Sequence, residues 1–519
     1  MTTTAALPEW VRVTGMIAAS ALAAAAVLAP TVRGRGLGVL GALALTPVLL
    51  VAEIWDTPQF HGVRDRPGVA AAGAAVAALT VAALGWLFTQ RPGTFGVLAL
   101  AALPFRVPVE SGGTTANLLV PLYLVIGAGA LAWLVPRLPA RRAGERAPRR
   151  GALEAVLLAA AALYALQASY AADPGTALQQ VVFFYVPFAL LFALLLELEW
   201  NARLVAWAGG VLVGLALVLA GVGFVEFATR TLLFNPKVIA SNEVESYFRV
   251  NSLFFDPNIY GRFLALLMLG LASVLLWARR PRPLIATALA LAVLWGGLLL
   301  TLSRSSFVAL LLGLAVLAWL RWGLRAVLPA AALAAVAGLV LVLAFPGALR
   351  LDLGSSASVE TATSGRANLI SGGLRLAADR PLLGWGSGSF QGEFRRHERA
   401  STREATSASH TIPITVAAEQ GIVGLLVYVA LLALAAARLL AGIRATRGWR
   451  LPARAAIAAA FAALVLHTWL YAAFLEDPAT WTLLAIGSAL AARRAAARVH
   501  GGPRAEAEAE PEPALAARS

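Results

Sequence analysis

The sequence predicts an all-α fold: a polytopic helical membrane protein with about 14 transmembrane helices, within a range of about 12 to 15. Of its 519 residues, 60% are hydrophobic and only 13% are charged, whereas a soluble domain carries roughly 25% charged residues. Apolar runs of about 20 residues, the length that crosses a bilayer as a helix, recur from Val13 almost to the C-terminus. This pattern excludes a soluble globular protein and a β-barrel built from segments of period two.

The charge pattern indicates membrane topology rather than nucleic-acid binding. The formal charge is +15, but the 42 Lys and Arg residues lie mostly in short clusters between apolar runs, as in proteins whose basic loops stay in the cytoplasm. We therefore expect membrane lipids and no nucleic acid among the partners. The absence of Cys excludes disulfides, thiolate metal sites and a Cys nucleophile.

In chain order, each element is predicted by an apolar run followed by a polar break. Taken by itself, the first run, Val13 to Leu28, resembles a signal peptide. Because many apolar runs follow it, we interpret it as the first transmembrane span. The run at 93–105 is too short to be assigned as a span. It could be a re-entrant segment or could pair with the run at 116–135, and the sequence leaves both interpretations open. The later runs lie at 152–171, 177–196, 203–227, 257–278, 284–302, 305–320, 326–346, 412–437, 455–475 and 479–492.

Loop charges predict the sidedness of these runs. The loop at 438–454 carries arginines and no acidic residue, and the loop at 137–150 has six Arg against one Glu, so we expect both in the cytoplasm and the long polar segment at 347–411 outside. That outer segment has an amphipathic stretch at 369–378, and the spacing of Gly384, Gly386 and Gly388 favours a turn that brings the loop back over the membrane. The predicted regions are transmembrane helices with short loops over 1–346, including an outer loop at 229–256; a small, mostly helical extracytoplasmic domain over 347–411; C-terminal transmembrane helices over 412–498; and a disordered cytoplasmic tail over 499–519.

Four stretches in the second half carry polar motifs in a fixed order around the predicted outer loop. They are RVNSLFFDPNIYGRFLALL (Arg249 to Leu267), TLSRSSFVALL (Thr301 to Leu311), SGRANLISGGLRLAADRPLLGWGSGSF (Ser364 to Phe390) and SHTIPITVAAEQGIVGLL (Ser409 to Leu426). This ordered set resembles the bacterial O-antigen ligase and O-antigen polymerase superfamily. One position departs from the family, which commonly has Asn after the loop histidine, whereas Thr411 follows His410 here.

The resemblance implies a membrane glycosyltransferase of the cell inner (cytoplasmic) membrane, with its active site on the extracytoplasmic face. Its donor would be a glycan on a polyprenyl diphosphate carrier, and its acceptor a hydroxyl of a glycan, lipid or protein. Ligase, chain polymerase and protein O-glycosylation differ only in that acceptor, and the sequence leaves the choice open. A transporter of an anionic or lipid-linked solute is the rival from another class, since membrane arginines would serve it equally well. A scaffold in envelope assembly is a third alternative.

Glycosyl transfer from a diphosphate builds negative charge on the leaving group, which a metal or fixed cations must stabilise. The sequence has no DxD motif, and its only ExE in a predicted outer loop is Glu243 with Glu245. We therefore expect no metal and no cofactor. Arg249, Arg304 and Arg366 are the cations predicted to bind the diphosphate, because the planar guanidinium fork matches phosphate oxygens.

Each of these arginines also has a structural interpretation. Arg304 stands in a Ser-Arg-Ser-Ser turn between two apolar runs, where an exposed charge is costly; it would also serve as a helix anchor at the membrane interface. Arg249 would pair with Asp256, and Arg366 would be one of several solvated arginines of the long loop. The family resemblance favours the binding role for all three.

The acceptor hydroxyl needs a group that takes or binds its proton. Of the five histidines, His410 stands where the outer loop returns to the membrane, and a histidine there titrates near neutrality. We predict that His410 is the base or the group that orients the acceptor, with a structural interface histidine as the alternative. Glu419, nine residues later, is predicted to be catalytic by orienting His410 or pairing with an arginine; a structural polar contact is equally compatible. For His467, inside a predicted helix, packing and hydrogen bonding are the simpler explanation.

Overall fold

The computed structural model describes residues 8–54, 65–111, 114–137, 145–172, 174–233, 238–239, 242, 248–277, 281–325, 327–329, 366–398 and 411–500. The predicted run at 326–346 and the predicted tail lie almost entirely outside these residues. Of the predicted outer domain, residues 366–398 and Thr411 are described.

Helices form nearly all of the described chain. In order they are Glu9–Leu28, Val32–Ile54, Pro67–Gln90, Pro92–Ala102, Val120–Leu134, Ala152–Gln167, Pro174–Gln180, Val186–Glu197, Ala202–Thr229, Pro257–Trp277, Pro281–Thr301, Arg304–Trp322, Arg366–Asp379, Phe390–Glu398, Ile412–Leu440, Arg450–Leu470 and Pro478–His500. A π-helical turn, Val181–Tyr185, joins Pro174–Gln180 to Val186–Glu197. Within the described ranges, 12 helical segments are long and apolar enough to cross a membrane, and two shorter apolar helices accompany them. This confirms the predicted polytopic helical membrane protein.

One β-hairpin interrupts the helices between Pro92–Ala102 and Val120–Leu134. Its strands, Val107–Ser111 and Thr114–Leu118, pair antiparallel, with Val107 opposite Leu118. A two-residue Gly-Gly link separates the strands in the sequence, which is a common hairpin signal. The strands were not predicted because they are far shorter than the apolar runs that identify membrane helices.

The core of the bundle surrounds Val186–Glu197. Residues 186–195 of this helix are all buried, including Phe188 and Phe192, which are fully inaccessible. The ring of Phe192 meets Trp481 of the last helix edge-on at 6.4 Å between centroids. A helix that is apolar all round is expected to be enclosed by its neighbours, and this one is.

Ion pairs gather helix ends from distant parts of the chain at one end of the bundle, which we call the basic end. Arg35 lies 3.4 Å from the carboxylate of Glu197, and Arg150 pairs with the same carboxylate. Arg438 lies 3.8 Å from Glu154. The two arginine-rich loops that the charge pattern assigns to the cytoplasm therefore share one end of the bundle.

Hydrogen bonds define the opposite end, which we call the loop end: residues 248–256, 302–303 and 471–477. Arg249 donates from Nε to the carbonyl of Thr301 at 3.0 Å. The hydroxyl of Tyr471 donates to Asp256 at 2.7 Å. Segments far apart in the sequence thus meet at this end, to which the loop-charge argument assigns the extracytoplasmic side.

Single cysteines test which side each end faces, since the chain has none of its own. Asp379 is exposed at the end of Arg366–Asp379, and Arg447 is exposed in the arginine-rich loop. In intact cells, we expect an impermeant thiol reagent to label Asp379→Cys and to leave Arg447→Cys unlabelled until the membrane is opened. The reverse labelling would contradict an extracytoplasmic site.

Candidate functional site

Arg249 is held in place by groups of the loop end. Besides its bond to Thr301, the guanidinium donates from Nη2 to the Asn258 side chain at 3.3 Å. The backbone N–H of Arg249 donates to the Asn242 side chain at 3.0 Å. Arg249 is half-buried, so its charge has a fixed position with part of its surface accessible.

Arg304 is the first residue of the helix Arg304–Trp322, and the side chain of Ser303 caps this helix. Ser303 precedes Arg304–Trp322 and accepts a hydrogen bond from the backbone N–H of Ser306, which satisfies one of the otherwise unpaired N–H groups of the first turn. Ser303 also donates to Asn258 at 2.8 Å. Ser303 and Ser306 are fully buried, whereas Arg304 between them is exposed. Buried serines therefore fix the turn, and the arginine lies on the surface of the loop end, near Arg249.

His467 supports the same turn from another helix. It is fully buried, and its Nε2 lies 3.2 Å from the hydroxyls of both Ser305 and Ser306. The sequence-based interpretation of His467 as a packed, hydrogen-bonded histidine agrees with this position.

The segment at 471–477 is clamped to Pro257–Trp277 by two polar contacts. Asp256 caps that helix by accepting from the N–H of Asn258 at 2.6 Å, and it also accepts from Tyr471. Burial, followed by the charge of Asp256, raises the pKa of Tyr471 well above its ordinary value, so the phenol stays protonated and donates. Arg262 and Asp477 form a buried ion pair.

A further arginine that the sequence analysis missed lies beside this ion pair. Burial lowers the pKa of Arg106, the charge of Asp477 opposes that shift, and the charge of Arg262 reinforces it. The Nε of Arg106 is buried without a hydrogen-bond partner. Its sequence signal is an arginine directly after a short apolar helix, in a region whose fold the hydropathy pattern left open.

Glu419 joins Ile412–Leu440 to the loop after Arg366–Asp379. One carboxylate oxygen accepts from the N–H of Gly388 and the other from the N–H of Phe390, both at 3.0 Å. The side chain is 6% exposed. These contacts are those of a residue that positions the loop against the helix, and a catalytic role remains a prediction.

The predicted glycine turn is present at this contact. Gly384, Gly386 and Gly388 all have positive φ, a backbone conformation that other residues adopt only with strain. A Cβ at Gly386 would lie 2.6 Å from the backbone of Ala171. The turn thus brings the loop against the helical bundle, as the glycine spacing predicts.

Gly421 produces a kink in Ile412–Leu440 two residues after Glu419. Its φ is 62°, and a Cβ there would collide with the carbonyl of Leu382. The N–H of Ile422 donates to the carbonyl of Pro381 at 2.8 Å, so the kink is where the helix receives the loop.

Replacing Gly421 by alanine is therefore expected to lower the free energy of unfolding by about 1–3 kcal/mol, the usual cost of a non-glycine residue in such a conformation. Thermal unfolding in detergent measures the change. Gly210→Ala is the matched control: Gly210 lies within Ala202–Thr229, and a Cβ there meets nothing within 4 Å. Equal midpoints for the two variants would contradict the structural role of the kink.

The structure describes the backbone of Arg366 but not its side chain, and it does not describe His410. Arg366 begins Arg366–Asp379, the helix predicted from its amphipathic pattern, and Leu369 and Leu376 of that helix are buried. The side chain of Arg366 and the whole of His410 lie outside the described residues, as do Glu243 and Glu245. The structure therefore places Arg249 against the segment that leads into the turn of Arg304, and the binding and catalytic roles of all four residues stay predictions.

A cavity of about 200 Å³ lies between four segments of the bundle. It is bounded by Ala152–Gln167, the segment from Pro174 to Tyr185, Ile412–Leu440 and the loop at 472–476. The polar side chains that line it are Tyr164, Gln180, Tyr185, Thr415, Glu419, Gln420, Tyr428 and Glu476.

The described chain is thus a helical bundle of the integral membrane class, with arginines at its loop end and a cavity that several polar side chains line. Residues 289–429 match the family model described as O-antigen ligase, which confirms the predicted resemblance to the O-antigen ligase and polymerase superfamily and supports a glycosyltransferase of that type. The match includes the turn at Ser303 and Glu419, whereas Arg249 and His467 lie outside it. No curated protein matches the chain.

Proposed function

We propose that this protein transfers a glycan from a polyprenyl diphosphate carrier to a hydroxyl acceptor on the outer face of the cytoplasmic membrane. The observation that carries the proposal is the hydrogen-bonded cluster of Arg249, Asn258 and Ser303, which holds one guanidinium beside the turn that presents Arg304. One held guanidinium and a second on an adjacent rigid turn suit the two phosphates of the leaving group.

In the proposed step, the acceptor oxygen bonds to the anomeric carbon of the donor while the bond from that carbon to the diphosphate oxygen breaks. The bonding electron pair leaves with the diphosphate, whose added charge Arg249, Arg304 and Arg366 stabilise. The proton of the acceptor hydroxyl passes to His410. Attack opposite the leaving group inverts the configuration at the anomeric carbon.

Glu419 has a positioning role in this proposal. Because it holds the turn at Gly388 against Ile412–Leu440, it fixes the end of the loop domain nearest the bundle. The helix it belongs to begins at Ile412, two positions after His410 in the sequence. Glu419 thus connects the loop that precedes the segment of the proposed base to the helix that follows it.

The proposed reaction uses no metal. Among the described residues, no three His, Cys, Asp or Glu side chains are grouped as a metal site requires, and the arginines supply the positive charge. Transfer by the purified protein is therefore expected to continue at an unchanged rate after divalent cations are chelated. Activity lost with chelator and restored by Mg²⁺ or Mn²⁺ would contradict this and would direct attention to Glu243 and Glu245.

Reconstitution in proteoliposomes tests the function itself. With a polyprenyl diphosphate-linked glycan and a hydroxyl acceptor on the loop-end side, the wild-type protein is expected to form the glycosylated acceptor and release polyprenyl diphosphate. Solute uptake without any glycan transfer would instead identify the rival transporter.

A further inference from the structure

The cavity bordered by the loop at 472–476 is large enough for a sugar ring. Its volume of about 200 Å³ is more than ten times the roughly 10–15 Å³ that holds one water molecule. A ring the size of a pyranose therefore fits in it. The inference that follows rests on the proposed function.

One wall of the cavity is a chain of hydrogen-bonding groups. The hydroxyl of Tyr164 donates to the Gln180 amide oxygen at 2.6 Å. The hydroxyl of Tyr185 lies 3.4 Å from the same oxygen and 3.4 Å from the carboxyl of Glu476. An amide, a carboxyl and two phenols offer the mixture of donors and acceptors that adjacent sugar hydroxyls require.

Aromatic rings supply the apolar surface. Tyr164 and Tyr185 meet edge-on with ring centroids 5.0 Å apart. Across the cavity, Tyr428 meets Phe474 edge-on at 5.5 Å, and the indole N–H of Trp469 donates to the Tyr428 hydroxyl at 2.9 Å. Fixed rings of this kind pack against the C–H face of a pyranose while polar groups bind its hydroxyls.

The charge of the lining distinguishes this cavity from the arginine cluster. The described residues that line it include no Lys, Arg or His. Of its two carboxyl groups, Glu419 already accepts two backbone N–H groups, and burial raises the pKa of Glu476 above its ordinary value. An anionic group entering the cavity would lose its hydration without meeting a cation among the described lining residues.

The loop at 471–477 forms one wall of the cavity and also contacts the side of the bundle that carries Arg249 and Arg304, which we call the arginine side. Its residues 472–476 line the cavity. The same loop is bound to the other side through Tyr471 and Asp256 and through the ion pair of Asp477 with Arg262. The loop therefore connects the cavity to the start of Pro257–Trp277, where Asn258 accepts a hydrogen bond from Arg249.

We propose that this cavity binds one uncharged sugar residue adjacent to the reacting bond and discriminates against sugars that carry a carboxylate or phosphate. Glu476 and Gln180 bind its hydroxyls, and the tyrosines pack on its ring. The diphosphate stays on the arginine side.

A unique cysteine in the wall tests binding directly. Ala160 lines the cavity, so a neutral methyl glycoside bound there should slow modification of Ala160→Cys by a small thiol reagent. The probes are methyl glycosides of common hexoses and N-acetylhexosamines, compared with the methyl glycosides of the corresponding uronic acids, at up to about 100 mM because single-sugar sites often bind in the millimolar range. Ser169→Cys, exposed on the same side of the protein, is the control.

We expect at least one neutral glycoside to slow Ala160→Cys modification severalfold, no uronate to do so, and Ser169→Cys to be unaffected by either. Equal protection by a neutral sugar and its uronate, or no protection by any neutral sugar, would overturn the inference. Sugar protection in a protein that transfers no glycan would support the cavity and reject the proposed function, so the two failures are distinguishable.

The transfer assay identifies where the sugar comes from. Glu476→Gln removes a carboxyl acceptor, and we expect it to raise one KM roughly tenfold, with kcat changed little. A higher KM for the acceptor assigns the cavity to the acceptor, and a higher KM for the donor assigns it to the transferred glycan. Glu199→Gln, an exposed position beyond Val186–Glu197 at the basic end, is the matched control. If Glu476→Gln leaves both KM values unchanged, the cavity does not bind substrate sugar.

Discussion

Replacing Arg304 by alanine is expected to lower the rate of glycan transfer by roughly 10²- to 10³-fold, the usual loss when a fixed group that stabilises transition-state charge is removed. Arg304 is exposed at the loop end on a turn whose serines are buried and hydrogen-bonded. The substitution therefore removes a charge while the capping bond of Ser303 is retained. Transfer by purified protein, with donor binding measured separately, gives the effect on each step.

Arg304→Lys separates charge from geometry. Lysine keeps the positive charge but loses the planar fork that binds two phosphate oxygens at once, so we expect transfer between that of the wild type and that of Arg304→Ala. Arg321→Ala is the control, since Arg321 lies in the same helix, is exposed and contacts the carbonyl of Leu276 near the opposite end. If Arg304→Ala transfers glycan as fast as Arg321→Ala, Arg304 is a helix anchor and the proposed diphosphate site is wrong.

Local features of the chain were predictable because their causes are local. Hydropathy over about 20 residues identifies membrane helices, and three closely spaced glycines indicate the turn at Gly384 to Gly388, which has positive φ at each glycine. Asp256 before Pro257 predicts a helix start, and the carboxylate does accept the N–H of Asn258. Each of these signals depends on residues within a few positions of one another.

Partners from distant parts of the chain were not predictable. His467 meets Ser305 across 162 positions, and Tyr471 meets Asp256 across 215. In the sequence, His467 is only a polar residue in an apolar run, and nothing in its neighbourhood specifies which helix will face it. Glu419 shows the same limit: the sequence leaves open whether it orients His410, pairs with an arginine or makes a structural contact, and only the structure reveals its two backbone partners in the loop.

The distribution of charge connects the two halves of the proposed site. Arginines lie on one side of the loop at 471–477, where Arg262 pairs with Asp477. On the other side, the residues described around the cavity include no basic one. A lipid-linked glycan has the same division, with an anionic diphosphate next to a sugar. For this reason the proposal assigns the diphosphate to the arginines and a sugar, of the donor or of the acceptor, to the cavity.

Replacing His410 by alanine is expected to lower turnover by roughly 10²- to 10⁴-fold, the usual contribution of a general base, while donor binding is retained because the arginines remain. The prediction rests on the family motif and on the position of His410 just before Ile412–Leu440, and it holds although Thr411 occupies the place where the family commonly has Asn. Single-turnover transfer and donor binding, measured on the same folded preparation, separate chemistry from affinity. His500→Ala, near the C-terminal end of Pro478–His500, is the matched control. Normal turnover in His410→Ala would end the assignment of the base, and weakened donor binding with normal turnover of bound donor would make His410 a binding residue instead.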